Sequence, residues 1–82
     1  MWWVYILQSQ ASNRFYMGCT ADLERRIHEH QTGQTPSTRN RGPWGLVYQK
    51  QFPNKASALA HEREIKAWKS AEMIRRLIES QW

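Results

Sequence analysis

The sequence predicts a small α+β domain with elements in the order β-β-α-β-α-α, and three observations carry that prediction. Trp2 to Leu7 is β-branched, aromatic or aliphatic without exception, the pattern of a strand covered on both faces. After Gly18 the apolar spacing becomes helical, with Leu23 and Ile27 at i, i+4. After Pro53 and Asn54 helical spacing returns and holds to about Ser80. Eighty-two residues allow one compact domain, 1–82, and the chain shows no repeat or linker.

In the first strand Trp3, Tyr5 and Leu7 share one face and Trp2, Val4 and Ile6 the other. Gln8 to Asn13 is a polar connection. Arg14 to Cys19 reads as a second strand, with Tyr16 and Gly18 on one face and Phe15, Met17 and Cys19 on the other. A hairpin that pairs Leu7 with Arg14 would set Tyr5 opposite Tyr16. The chain then turns at Gly18 into a helix that Thr20 or Asp22 can cap and Gly33 ends.

Gln34 to Gly45 is rich in Thr, Pro, Ser, Arg, Asn and Gly, with Trp44 its single apolar residue, and reads as a loop. Leu46 to Phe52 alternates as a third strand. Asn54 can cap a helix from Lys55 to about Lys69, and Ser70 another from Ala71 to about Ser80.

Charge narrows the partners. Twelve Lys and Arg against seven Asp and Glu give a net charge of +5, which favours nucleic acid first and an acidic membrane surface second. The single cysteine, Cys19, excludes an internal disulfide and a cysteine-based zinc cluster, and suits a reducing compartment. No window has the apolar length of a membrane span, and Met1-Trp2-Trp3 leads into a strand rather than a signal sequence. A cytoplasmic, monomeric protein is the expectation.

Two charges break the pattern. Arg26 and His30 fall within the Leu23/Ile27 stripe, whereas Glu24, Arg25, His28 and Glu29 project elsewhere. A guanidinium on an inward face is costly without an anionic partner. On the next helix Glu62 lies within the arc of Ala58, Leu59 and Ile65, while Arg63 and Glu64 point away. The two inward charges either form a structural pair or face a shared site.

Val4-Tyr5-Ile6, then Tyr16-Met17-Gly18, then Arg26 and His30, then Glu62 in Ala58-Leu-Ala-His-Glu-Arg-Glu-Ile-Lys66, resembles the GIY-YIG nuclease superfamily along essentially the whole chain. The likeness is to its short single-domain branch, akin to the nuclease domains of structure-specific and excision-repair endonucleases. It implies a three-stranded antiparallel sheet flanked by helices and metal-dependent hydrolysis of DNA phosphodiester bonds in repair or recombination. By position, Tyr5, Tyr16, Arg26 and His30 match catalytic residues, Glu62 the metal-binding glutamate, and Tyr16 and Gly18 the second tag; Gly18 suits either a tight strand-to-helix turn or a close backbone approach. Val4 replaces the first glycine of the family name, and Cys19 stands where some repair enzymes carry lysine.

Such chemistry needs an activated water, charge stabilisation at the phosphate and help for the leaving alkoxide. Mg²⁺ or Mn²⁺ on Glu62 would supply the last two, and Arg26 would clamp the phosphate. Tyr5 is the first choice of base, with its pKa of about 10 lowered by neighbouring cations. His30 follows, and Tyr16 would position the water.

Arg39, Arg41, Trp44 and Lys66, with Lys50 and Lys55, could grip the backbone and stack a base. Alternatively Trp44 packs over the sheet and the cations are merely solvated. His28 and His61 read as surface residues and Cys19 as a small core residue. Two other functions compete with the nuclease: a catalytically weak nucleic-acid-binding or docking module of a larger repair complex, and a protein-interaction piece built on Trp2, Trp3 and Trp82.

Overall fold

In the structure, a computed structural model that describes residues 1–32 and 43–81, three strands form one antiparallel sheet between helices. The elements are β1 (Trp2–Ser9), β2 (Phe15–Thr20), α1 (Leu23–Gln31), β3 (Trp44–Phe52), α2 (Lys55–Trp68) and α3 (Ala71–Gln81). The strand order is β2-β1-β3. The predicted α+β class and element order are therefore the observed ones. No helix among the described residues is long and apolar enough to cross a membrane.

The unbroken apolar run of β1 is explained by its central place. Val4 and Ile6 face a core built with Tyr48, Ala58, Ile65 and Ile74, beneath α2 and α3. Tyr5 and Leu7 face the opposite way, against Trp44, Tyr16, Leu23 and Ile27, beneath α1. Burying each such aliphatic side chain contributes about 1.5–3 kcal/mol, so both sheet faces hold the fold together.

The hairpin register differs from the expected one. Leu7 pairs with Tyr16 and Tyr5 with Gly18, because β1 continues to Ser9 before the chain turns. Ser9 organises that turn: its Oγ accepts from the Ala11 and Ser12 amides, each at 3.2 Å, and its carbonyl accepts from Asn13 N–H at 2.8 Å. The two-residue shift leaves every side chain on its predicted face, since strand periodicity is two. The turn expected at Gly18 is not there. Gly18 lies inside β2, which runs on to Thr20.

β3 also begins earlier than predicted, at Trp44. A bulge between Ile6 and Leu7 moves the pairing from Ile6–Tyr48 to Leu7–Leu46, leaving Val47 as the extra residue. One extra residue reverses the alternation beyond it. Trp44 thereby joins Tyr5 and Leu7, while Tyr48 faces α2 and α3.

The helix caps are the predicted ones. Asp22 accepts from Arg25 N–H at 3.2 Å, Asn54 from Ser57 N–H at 2.8 Å, and Ser70 Oγ from Met73 N–H at 3.3 Å. α1 ends at Thr32, whose amide bonds back to the His28 carbonyl. Gly33, assigned as its terminator, lies outside the described residues.

Candidate active site

Successive turns of α1 set Arg26 and His30 over the sheet face that carries Tyr5 and Tyr16. Tyr5 is 1 % exposed and its hydroxyl is the hub of the cluster. It lies 3.0 Å from His30 Nε2 and receives a hydrogen bond from Arg26 Nε at 3.4 Å. The Tyr16 ring stands 4.8 Å from the His30 ring and 6.4 Å, edge-on, from Trp44. Four of the sequence-predicted residues thus converge.

Gly18 makes the arrangement possible through close approach and not through a turn. The Tyr5 ring lies across Gly18 on the neighbouring edge strand. A Cβ there would sit 2.7 Å from Tyr5 Oη, closer than real side chains approach, and a tight 3.0 Å from Cζ. The missing side chain is a packing requirement of Tyr5.

Arg26 is half-buried, its side chain 35 % exposed, and it does have a partner: Nη1 lies 3.2 Å from Glu29 Oε1. Glu29 stands outside the Leu23/Ile27 stripe in the sequence pattern. At i+3 it is within reach of Arg26, a spacing visible in the sequence. The Tyr5 hydroxyl, then Glu29, strengthens the cationic form of Arg26 against the cost of its partial burial.

The protonation states follow from this packing. Burial pushes the Tyr5 phenol above its ordinary pKa, although Arg26 opposes the rise. The lowered phenol pKa expected of a tyrosine base is therefore not found in the free chain. Burial, then the Arg26 charge, lowers His30, which is 2 % exposed. A neutral imidazole with Nε2 as acceptor fits a chain from Arg26 Nε–H to the Tyr5 hydroxyl to His30 Nε2. His30 consequently meets the site through the Tyr5 hydroxyl, which stands between its Nε2 and Arg26.

Glu62 stands on α2, which packs on the sheet face opposite Tyr5. Its side chain is 13 % exposed and pairs with Lys66 at 3.2 Å. It also lies beside Cys19, whose thiol is pushed upward in pKa by burial and then by the Glu62 charge. Cys19, Thr20 and Trp2 line a cleft of about 460 Å³ together with Arg25, Arg26 and Glu29. Arg26 and Glu62 do not pair with each other, which removes the structural ion pair as their explanation.

Among the described residues no cluster of three or more His, Cys, Asp or Glu side chains could hold a metal. A single half-sheltered carboxylate fits Mg²⁺ or Mn²⁺ bound mainly through water, and does not fit a protein-enclosed ion.

The nucleic-acid-binding residues are placed differently from expectation. Trp44 is 7 % exposed and packed beneath Tyr16, so its ring is part of the site's floor and not a free stacking platform. Lys66 is committed to Glu62, Lys50 lies over Phe52 and Lys55 over Trp2. Arg39 and Arg41, like Trp82, lie outside the described residues. His28 is exposed as expected. His61 is not a plain surface residue: its Nε2 is 2.9 Å from the Tyr48 hydroxyl, and its ring packs on Phe52.

Comparison with known proteins bears on this geometry. The family profile described as the GIY-YIG catalytic domain matches residues 1–76. UPF0213 protein OB0043 of Oceanobacillus iheyensis is 40 % identical over 96 % of this chain and 91 % of its own length. The structure-specific endonuclease subunit SLX1 homolog of Brugia malayi is 39 % identical over 90 % of this chain, which spans 24 % of that longer protein. The solution NMR structure of UPF0213 protein BH0048 from Bacillus halodurans superposes with a TM-score of 0.60 at 37 % identity, covering 96 % of this chain and 84 % of that one.

Proposed function

Because this chain belongs to the GIY-YIG catalytic domain family, we propose that it is an endonuclease hydrolysing DNA phosphodiester bonds with Mg²⁺ or Mn²⁺, in repair or recombination. The observation that carries the reading is the convergence of Tyr5, Tyr16, Arg26 and His30 on one sheet face. It is joined by a cleft that runs from Arg26 to Cys19, the neighbour of Glu62.

The mechanism follows from what each group can do. The scissile phosphate enters the cleft and meets the Arg26 guanidinium, whose planar, permanent charge holds the phosphoryl oxygens. The attacking water gives its proton to the Tyr5 oxygen while the Tyr5 proton passes to His30 Nε2, leaving imidazolium behind. This relay lets a phenol act as base without first becoming a phenolate, which its raised pKa disfavours, and the anionic phosphate drawn to Arg26 offsets the burial and the Arg26 charge that lower His30. Tyr16, the more exposed of the two phenols, orients the water. Glu62 would hold the cation, which when bound would supply Lewis-acid stabilisation of the phosphate and the leaving oxygen. Binding it requires Lys66 to release the carboxylate, and its side chain, 54 % exposed, is free to swing into solvent. The protein acts in the cytoplasm as a monomer, and specificity comes from DNA structure or from a partner protein.

Incubating the purified protein with labelled duplex, flap and single-stranded DNA in Mg²⁺ or Mn²⁺ tests the reading. Metal-dependent cleavage lost in Arg26→Ala and in Glu62→Gln is the expected result. Cleavage that survives both substitutions would overturn the mechanism, and tight binding without turnover would make the chain a binding module.

A further inference from the structure

On the sheet face turned away from Tyr5, β2 and the α2–α3 corner enclose a groove of about 450 Å³. We propose that this groove is a docking site for an acidic, amphipathic segment of a partner protein. Its floor is apolar, formed by Phe15 and Met17 of β2, Ile65 of α2 and Ile74 of α3. Its rim is cationic, formed by Arg14, Lys66 and Lys69, and no acidic residue is among the described residues that line it.

The occupant follows from that pairing of apolar floor and positive rim. Arg14 and Lys69 make no ion pair with any described residue, so their charges remain available to a partner. The N-terminus of α3 also opens here, at Ser70 and Ala71, and its dipole favours negative charge. Lys66 and Lys69 meanwhile cover the end of α2 with positive charge. A nucleic-acid backbone would satisfy the rim but leave the floor empty, and a purely apolar segment would waste the rim. A segment with aliphatic or aromatic side chains flanked by Asp or Glu satisfies both.

The backbone supplies a second observation. Among the described residues the non-glycine positions with positive φ are Asn13, at 61°, and Lys69, at 50°. Both line this groove. Asn tolerates that conformation well, but at a helix end the left-handed position usually goes to glycine. Lysine there is unfavourable for the backbone and places an ammonium group on the rim, the kind of local cost that clusters at functional sites.

The groove lies on the sheet face opposite Tyr5 and shares only Lys66 with the Glu62 ion pair, so its test turns on Lys69 and Ala71, which take no part in the nuclease reading. Random twelve-residue peptides displayed on phage would be selected on the wild-type protein and counter-selected on Ala71→Arg, which fills the groove from an exposed first-turn position of α3. Enriched peptides would then be synthesised and titrated into isotope-labelled protein. Acidic–apolar peptides should emerge, shift the amides of Phe15, Met17, Ile65 and Ile74, and bind at least tenfold more weakly to Lys69→Glu. DNA cleavage should be unchanged in both variants, and a thermal melt would confirm their folding. Failure to enrich peptides, enrichment of basic ones, or shifts mapping elsewhere would overturn the proposal. So would groove-centred shifts from a single-stranded oligonucleotide, which would assign the surface to nucleic acid.

Discussion

The Tyr5 hydroxyl lies between His30 and Arg26, 3.0 Å from the imidazole Nε2 and 3.4 Å from the guanidinium Nε. One oxygen therefore links the phosphate-binding cation to the buried proton acceptor. Tyr5→Phe keeps the ring and removes only that link. We expect its cleavage rate to fall by roughly a hundred- to a thousandfold. Stability should drop by about 1–3 kcal/mol, the cost of leaving a buried partner unsatisfied. Single-turnover cleavage and denaturant unfolding would separate the two effects.

Gly18→Ala tests the packing beneath that hydroxyl. The new Cβ would stand 2.7 Å from Tyr5 Oη, so the ring must move. Overpacking of this kind costs about 1–3 kcal/mol, and cleavage should fall with it. Much of the stability loss should vanish in the Tyr5→Phe background, because the closest contact is to the atom that this change deletes. Additive losses in the double variant would contradict the account.

Trp44 distinguishes floor from platform. As a packed residue it should cost about 3–5 kcal/mol when replaced by alanine. As a stacking platform it would instead weaken DNA binding and leave the melting transition in place. Calorimetry of Trp44→Ala decides between them.

Arg26→Lys should be a severe change despite conserving charge. The guanidinium reaches Tyr5 through Nε and Glu29 through Nη1, and an ammonium cannot hold both while facing a phosphate. A roughly hundredfold loss of kcat is expected. Folding should hardly change, because the residue is partly solvated and its ion pair contributes about 1 kcal/mol or less.

Acid should destabilise the fold through two imidazoles. Burial, then Arg26, lowers His30; burial, then Lys50, lowers His61. The unfolded chain, with ordinary histidines near a pKa of about 6.5, binds those protons more readily than the folded one. The stability they contribute is complete above about pH 6.5 and is lost as pH falls through the lower folded values. Melting temperatures should decline from about pH 7 to about pH 5, and less steeply in His30→Gln and in His61→Gln. A flat profile would exclude the effect.

Much of this was legible in one dimension. The alternation in β1 assigned Tyr5 and Val4 to opposite faces, and the helical spacing of Leu23 and Ile27 placed Arg26 and His30 inward. Asp22, Asn54 and Ser70 announced the helix starts. These are local properties, determined by period, caps and composition. The partners of Arg26 and Glu62 were harder, although Glu29 and Lys66 stand three and four residues away on the same helices. A helical spacing says that two side chains can meet and not that they do.

What the sequence determined by itself is the order of elements, the faces of the β1 and β2 side chains and the identity of the charges turned inward. What only the tertiary structure decided is register and contact. The hairpin slid by two residues, and the bulge at Val47 carried Trp44 under the site. Gly18 became the space into which Tyr5 fits, and Cys19 the residue that both lines the cleft and neighbours Glu62. The physical reason is the range of the interactions. Periodicity is imposed by neighbours along the chain, whereas register is settled by turn geometry and by packing between segments that meet only once the sheet has closed.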